Sequence, residues 1–173
     1  MPFGTTPLLK KGMIIIMNET EVLQEITGSD TAITEIMREY LVFVSDGIQF
    51  TVSAANVVEI IMNHKFTRLP KVPDYIKGII NLRGQIIPII DVRLKMNKPD
   101  IVYTESACII VIDVNSTAVG LLVESVSHVV RINDNDISPA PAKNRQELVS
   151  GIARTGEAVY LLLDCDLIVK QEV

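Results

Sequence analysis

The side chains that most often carry chemistry are scarce in this chain of 173 residues: two histidines, His64 and His128, and two cysteines, Cys108 and Cys165. The histidines occupy equivalent-looking places near the ends of two apolar stretches. Neither has a neighbouring cysteine, Ser-Gly turn or second histidine to suggest a nucleophilic or zinc site, and both read as surface or strand-edge residues. The cysteines stand 57 positions apart, a pattern of neither a disulfide framework nor a metal pair. Cys108 is expected to pack as a small hydrophobe, and Cys165 to pack at the start of a final helix. No GxSxG, HExxH or phosphate-loop pattern is present. Catalytic residues, a metal and a cofactor are therefore not expected.

Carboxylates are more numerous. Asp91 and Asp164 end two matching apolar runs, where a short acid can accept backbone N–H bonds and fix the next turn; spacing alone leaves a paired-carboxylate hydrolase site open. The bases are unevenly placed. Residues 65–98 hold eight bases and two acids, a local charge of +6 within a chain of net charge −5. Such a run is either a solvated face or a polar surface that orients docking to an acidic protein partner. A nucleic-acid platform is disfavoured, because only Phe66 and Tyr75 interleave the bases. Within this run, residues 77–91 are the most informative. Two apolar stretches flank Asn81-Leu82-Arg83-Gly84, Gly84 permits the positive φ of a tight turn, and Pro88 marks an edge or a bulge. Arg83 beside the turn can pin a carboxylate of this chain or of a partner.

The elements that must position these residues are strands. Ile (24) and Val (20) make a quarter of the chain, against 14 Leu and no Trp, and β-branched residues favour pleated surfaces. Stretches 40–45 and 48–53 flank Asp46-Gly47, a two-residue hairpin signature. Stretches 107–114 and 117–123 repeat it around Asn115-Ser116, so Asn115-Ser116-Thr117 reads as a turn and not as a glycosylation site. Each hairpin is followed by another apolar stretch (56–62; 126–132) and a proline-containing link. Then come Gly78…Gly84…Asp91 and Gly151…Gly156…Asp164, the outer residues 13 positions apart in both. The second copy follows about 70 residues after the first, which predicts two similar small barrels or sheets. Helix is minor: one turn over 73–77, and a C-terminal helix over 165–171 capped by Asp164. Residues 1–38 lack alternation and read as a flexible N-terminal arm, with a short amphipathic helix over 31–37. No run approaches the roughly 18 apolar residues of a membrane span. The fold class is all-β with minor helix.

In order along the chain, Val57-Val58-Glu59-Ile60-Ile61, Leu69-Pro70…Pro73, Lys77-Gly78…Asn81-Leu82-Arg83-Gly84…Pro88…Asp91-Val92-Arg93, Gly120…Val123-Glu124-Ser125-Val126 and Ser150-Gly151-Ile152 resemble the signature of CheW-like chemotaxis coupling domains. The resemblance covers residues 39–170, departs at Gln85 and His128, and places a domain over 39–173 with halves of 39–100 and 101–173. It implies two five-stranded SH3-like barrels, internally duplicated, whose spatial lobes need not follow the sequential halves. The same domain occurs in CheA kinases and in CheV, but no ATP-binding segment or receiver domain is expected in this chain.

The resemblance also implies a cytoplasmic, non-catalytic adaptor. Its partners would be the regulatory domain of a CheA-type histidine kinase and the cytoplasmic tip of methyl-accepting receptors, with no nucleic acid and no membrane insertion. By motif position, Val57, Glu59, Gly78, Arg83 and Ile86 would lie in or support the partner-binding region, and Val126 and Val129 near a groove between lobes. Glu59 and Arg83 would touch a partner or each other. Asp46, Gly47, Gly78, Gly84 and Asp91 would shape turns. Two other readings remain: a small-ligand or enzymatic double barrel, and a scaffold serving a kinase pathway outside chemotaxis.

Overall fold

A computed structural model describes residues 22–24, 35–62, 65–141 and 148–170. Most of the arm therefore lies outside the described residues, as does His64. The described strands are β1 (Val22–Gln24), β2 (Glu35–Ser45), β3 (Ile48–Ser53), β4 (Val57–Met62), β5 (Ile76–Leu82), β6 (Gln85–Asp91), β7 (Cys108–Val114), β8 (Thr117–Val123), β9 (Ser125–Asn133), β10 (Ile137–Pro139), β11 (Val149–Thr155) and β12 (Ala158–Leu163). Two short helices, α1 (Val92–Lys95) and α2 (Cys165–Lys170), follow β6 and β12. The expected helix over 31–37 is corrected where it is described: Glu35, Ile36 and Met37 begin β2 and pair with β1. The turn expected over 73–77 closes as one hydrogen bond, from Ile76 N to Pro73 O at 2.9 Å, and the chain enters β5 without a helix.

The strands form two sheets. One runs β4-β7-β8-β6-β5; the other runs β1-β2-β3-β12-β11-β10, with β9 also pairing β2. Each sheet thus combines the first hairpin of one sequence half with the later strands of the other half. The halves are stitched together by two parallel pairings, β3 with β12 and β6 with β8, and by two antiparallel ones, β2 with β9 and β4 with β7. Register preserves the duplication in detail. Val57 faces Ile112 as Val126 faces Phe43, and Ile61 faces Ile109 as Val130 faces Tyr40. A bulge precedes Gly78 in β5 and Gly151 in β11.

Exchange of hairpins explains the Ile/Val surplus. Tyr40 and Val42 of β2 enter the core of one lobe, while Leu41 and Phe43 enter a larger core between the sheets. In β7, Ile109 and Val111 fill the other lobe, while Cys108, Ile110, Ile112 and Val114 face the shared core. Strands buried on both faces read as continuous apolar runs. Among the described residues, eighteen buried ones make the shared core, against six in each lobe. At about 1.5–3 kcal/mol per fully buried large aliphatic side chain, most of the burial that stabilises the molecule joins the two lobes.

Among the described residues, three turns have positive φ at both central residues: Asp46-Gly47, Arg83-Gly84 and Asn115-Ser116. Each closes a two-residue hairpin, as the flanking pairs Ser45–Ile48, Leu82–Gln85 and Val114–Thr117 show. The edge or bulge expected from Pro88 is corrected. Pro88 lies in β6, an interior strand between β5 and β8. It is tolerated because its partner Ile79 spends both backbone groups on Thr67 (2.8 and 2.9 Å), and the ladder to β8 begins only at Ile89.

Candidate partner-docking surface

The Arg83-Gly84 turn projects Arg83 from the end of the β5–β6 hairpin. Asn81 secures the turn by accepting the Gly84 N–H on Oδ1 at 2.9 Å. Arg83 reaches across to β4, where its Nη2 lies 3.0 Å from Glu59 Oε2; the two side chains are 78% and 35% exposed. The question left open by sequence is answered for the unbound chain: Glu59 and Arg83 hold each other. An exposed pair of this kind contributes about 0–1 kcal/mol, so exchanging it for a partner's charge costs the fold little.

Apolar side chains are also exposed on these elements, Ile60 and Met62 on the face of β4 opposite Glu59. Val58, Ile60 and Met62 of β4, together with Ile86 just past the turn, are exposed. Since β4 is an edge strand, an apolar row here invites pairing or docking. Val57 is half-buried and packs on the shared core. Sequence reasoning picked Val57, Glu59 and Ile86 but missed Val58, Ile60 and Met62. Their alternation was visible, yet only the topology shows that β4 lies at an edge.

Val126 and Val129 lie elsewhere, on β9 in the other lobe. Val126 packs on the shared core as Val57 does, and Val129 is exposed as Ile60 is. The six proposed partner-binding residues therefore do not form one cluster: Val57 and Glu59 lie on β4, Arg83 and Ile86 at the β5–β6 turn and its outgoing strand, and Val126 and Val129 on β9. His128 holds the place of Glu59, not of His64 as the sequence suggested. It is exposed, with Nδ1 2.8 Å from Ser127 Oγ and its ring edge-on to Tyr160.

The turn residues explain themselves. A Cβ on Gly78 would run into the carbonyl of Thr67. Asp91 is buried and accepts the Leu94 N–H (3.1 Å) and the Tyr103 hydroxyl (2.9 Å) on Oδ1, with Lys77 Nζ 3.6 Å from Oδ2. Burial, reinforced by the Asp91 carboxylate, pushes the Tyr103 phenol well above its usual range. Asp164 caps α2 through the Leu167 N–H at 3.0 Å. Both acids thus serve as helix caps. Their engagement removes the case for a paired-carboxylate site. Cys108 and Cys165 are buried, and desolvation pushes the Cys165 thiol up to about 12. Among the described residues no group of three or more His, Cys, Asp or Glu is placed to hold a metal, and no helix is long and apolar enough to cross a membrane.

The basic run is not one surface. Arg93 is buried and ties the Asp46 turn to the β8–β9 junction, its Nη1 lying 2.8 Å from both Asp46 Oδ1 and Glu124 Oε1. Lys98 adds a contact of 3.1 Å to Asp46 Oδ2. Lys98 and Arg93 together hold the Asp46 carboxyl below its usual range, the Lys98 hydrogen bond being the larger cause. Lys77 is committed to Asp91 and Asp100. The Asp46 turn was read for its backbone alone, and its carboxylate also locks the lobes.

One family model matches this chain: the CheW-like domain, over residues 39–173. The chain belongs to the CheW-like family. It is 32% identical to "Chemotaxis protein CheW" of Klebsiella aerogenes over 149 residues, 84% of this chain and 90% of that one. To the protein of the same name in Bacillus subtilis it is 29% identical over 145 residues, 82% and 93% of the two chains. Among solved structures, the scaffolding protein TtCheW of Thermoanaerobacter tengcongensis superposes with a TM-score of 0.69 at 29% identity, covering 72% of this chain and 87% of its own. For a CheW-like fold, the two-lobed all-β architecture read from the sequence holds, with the lobes exchanging hairpins between sequence halves.

Proposed function

We propose that this CheW-like chain is a non-catalytic, cytoplasmic adaptor, recruited to receptor arrays, that couples methyl-accepting chemotaxis receptors to the regulatory domain of a CheA-type histidine kinase. The observation that carries this reading is that edge strand β4 exposes Val58, Ile60 and Met62 and also holds the exposed Glu59–Arg83 pair, with Ile86 exposed just past the turn. Exposed apolar area and an exchangeable charge pair on one edge strand suit a reversible protein interface, the hydrophobic part supplying affinity and the charges orientation. Val126 and Val129 on β9 serve as a second, smaller contact on the other lobe, and Val57 supports β4 from below. Residues 39–173 are the docking domain, and the segment before it joins the same sheet through β1 and the first residues of β2. Membership of a family whose relatives carry the names chemotaxis protein and scaffolding protein supports the same reading.

Co-sedimentation with a receptor-tip fragment and with the kinase regulatory domain tests it; binding of neither would end the proposal. Arg83→Ala should weaken kinase-domain binding about tenfold, equivalent to about 1.4 kcal/mol. The melting temperature should move by less than about 2 °C, since the pair is exposed. A large fall in melting temperature would assign Arg83 to the fold instead.

A further inference from the structure

We propose that Met62 is a redox-sensitive switch of docking at β4: a peroxide oxidises its thioether to the sulfoxide, and the partner is released. The inference rests on the reading of β4 as a docking strand. Five sulfur atoms lie among the described residues, and four of them are shielded at least in part. Cys108 and Cys165 are buried. Desolvation pushes both thiols upward, Cys165 to about 12, so neither offers the thiolate that oxidants attack. Met37 is half-buried within β2, and Met96 packs on the shared core. Met62, 54% exposed on an edge strand, is the sulfur that solvent reaches.

With hydrogen peroxide, the sulfur lone pair attacks one oxygen, and an S–O bond forms as the O–O bond breaks. The proton on the attacked oxygen moves to the departing one, which leaves as water. The sulfur loses two electrons and the peroxide gains them. A flexible apolar side chain thereby becomes a polar one, in a row whose other exposed members, Val58 and Ile60, are aliphatic. Burying the new S=O dipole against an apolar partner surface leaves an acceptor without a donor. The duplicated strand marks this place as one where polarity is decided. Met62 faces Cys108 across β4 and β7 as Arg131 faces Glu39 across β9 and β2. Strand β9 carries a permanent charge there, and β4 a group that an oxidant can polarise. The change is reversible, a reductase removing the oxygen as water while two thiols become a disulfide.

The full chain, treated briefly with dilute hydrogen peroxide and then freed of it, tests the switch. Peptide mass spectrometry should find the added oxygen on Met62 before Met37 or Met96. Calorimetric titration with the kinase regulatory domain should show affinity about tenfold weaker than that of the untreated chain. Methionine sulfoxide reductases with dithiothreitol should restore it. The melting temperature should move by less than about 2 °C, since the side chain is exposed. Met62→Leu should bind equally before and after treatment, which separates Met62 from every other methionine of the chain. Slower oxidation of Met62 than of Met96, unchanged affinity after oxidation, or an equal loss in Met62→Leu would each overturn the proposal. If the untreated chain does not bind the kinase domain, the docking reading itself fails and the switch falls with it.

Discussion

Strands β4 and β9 hold the same place in the two halves, with the same register and the same packing on the shared core, yet they offer different faces to solvent. Val58, Ile60 and Met62 of β4 correspond to Ser127, Val129 and Arg131 of β9, and Arg131 is paired with Glu39 at 3.1 Å. One copy keeps an apolar edge and the other polarises it. The same divergence recurs where each first hairpin meets the short helix of its own half. Asp46 meets Arg93 as a charge pair in one half, while Asn115 donates to Asp166 at 3.2 Å in the other. Duplication has preserved whatever closes the sheets and released whatever faces outward or sits at a seam. A protein that must be rigid within and selective on one side is served by such asymmetry.

The sharpest way to separate the copies is at their equivalent glycines. Gly78→Ala drives a Cβ into the Thr67 backbone, which cannot swing away, and should cost on the order of 3 kcal/mol. At Gly151 the nearest atoms to an added Cβ are Ser138 O at 3.0 Å and Ile137 Cγ2 at 3.1 Å, so Gly151→Ala should cost about 1 kcal/mol. Urea denaturation measures both; equal losses would mean the two bulges are equally constrained. Next in size is the seam. Arg93→Met leaves Asp46 and Glu124 facing each other and should cost about 2 kcal/mol, below the range for fully buried pairs because both acids are partly solvated. Asp166→Ala, at the matching position, should stay within about 0.5 kcal/mol.

The edges come third. Met62→Arg should weaken kinase-domain binding about tenfold, while Arg131→Met on β9 should leave it unchanged, as read by calorimetric titration. Equal effects would erase the distinction between the strands. The smallest effect is in acid. Because the folded pKa of Asp46 is lowered from 3.8, the folded state binds fewer protons than the unfolded state below that value. The stabilisation is complete above about pH 4 and is lost as pH falls through the folded pKa. Asp46→Asn, which installs the residue of the Asn115 turn, should therefore flatten the acid limb of a melting-temperature profile, and an unchanged limb would show that other carboxylates govern it.

Local signals were legible wherever one residue type answers one local need. Asp46-Gly47 and Arg83-Gly84 turned where expected, Asp164 capped its helix, and the hairpin strands end where their turns begin. Asp91 carried the same capping signal, although the four-residue helix it starts was too short to show a period. Pro88 misled because its effect depends on where Ile79 sends its backbone bonds, and that depends on Thr67, twelve residues away. His128 misled because likeness of place along a chain is not likeness of place in a sheet, where it holds the register position of Glu59.

By itself the sequence determined the strands, the tight turns, the duplication, and through its ordered motifs the family. Those follow from alternation, from positive φ and from side chains that act within a few residues of themselves. Only the tertiary structure decided which half supplies which lobe, that β4 is an edge and β6 is interior, and that Arg93 is a buried pin and Arg83 an exposed partner of Glu59. Each of these is a relation between residues far apart in the chain, and no local preference encodes it.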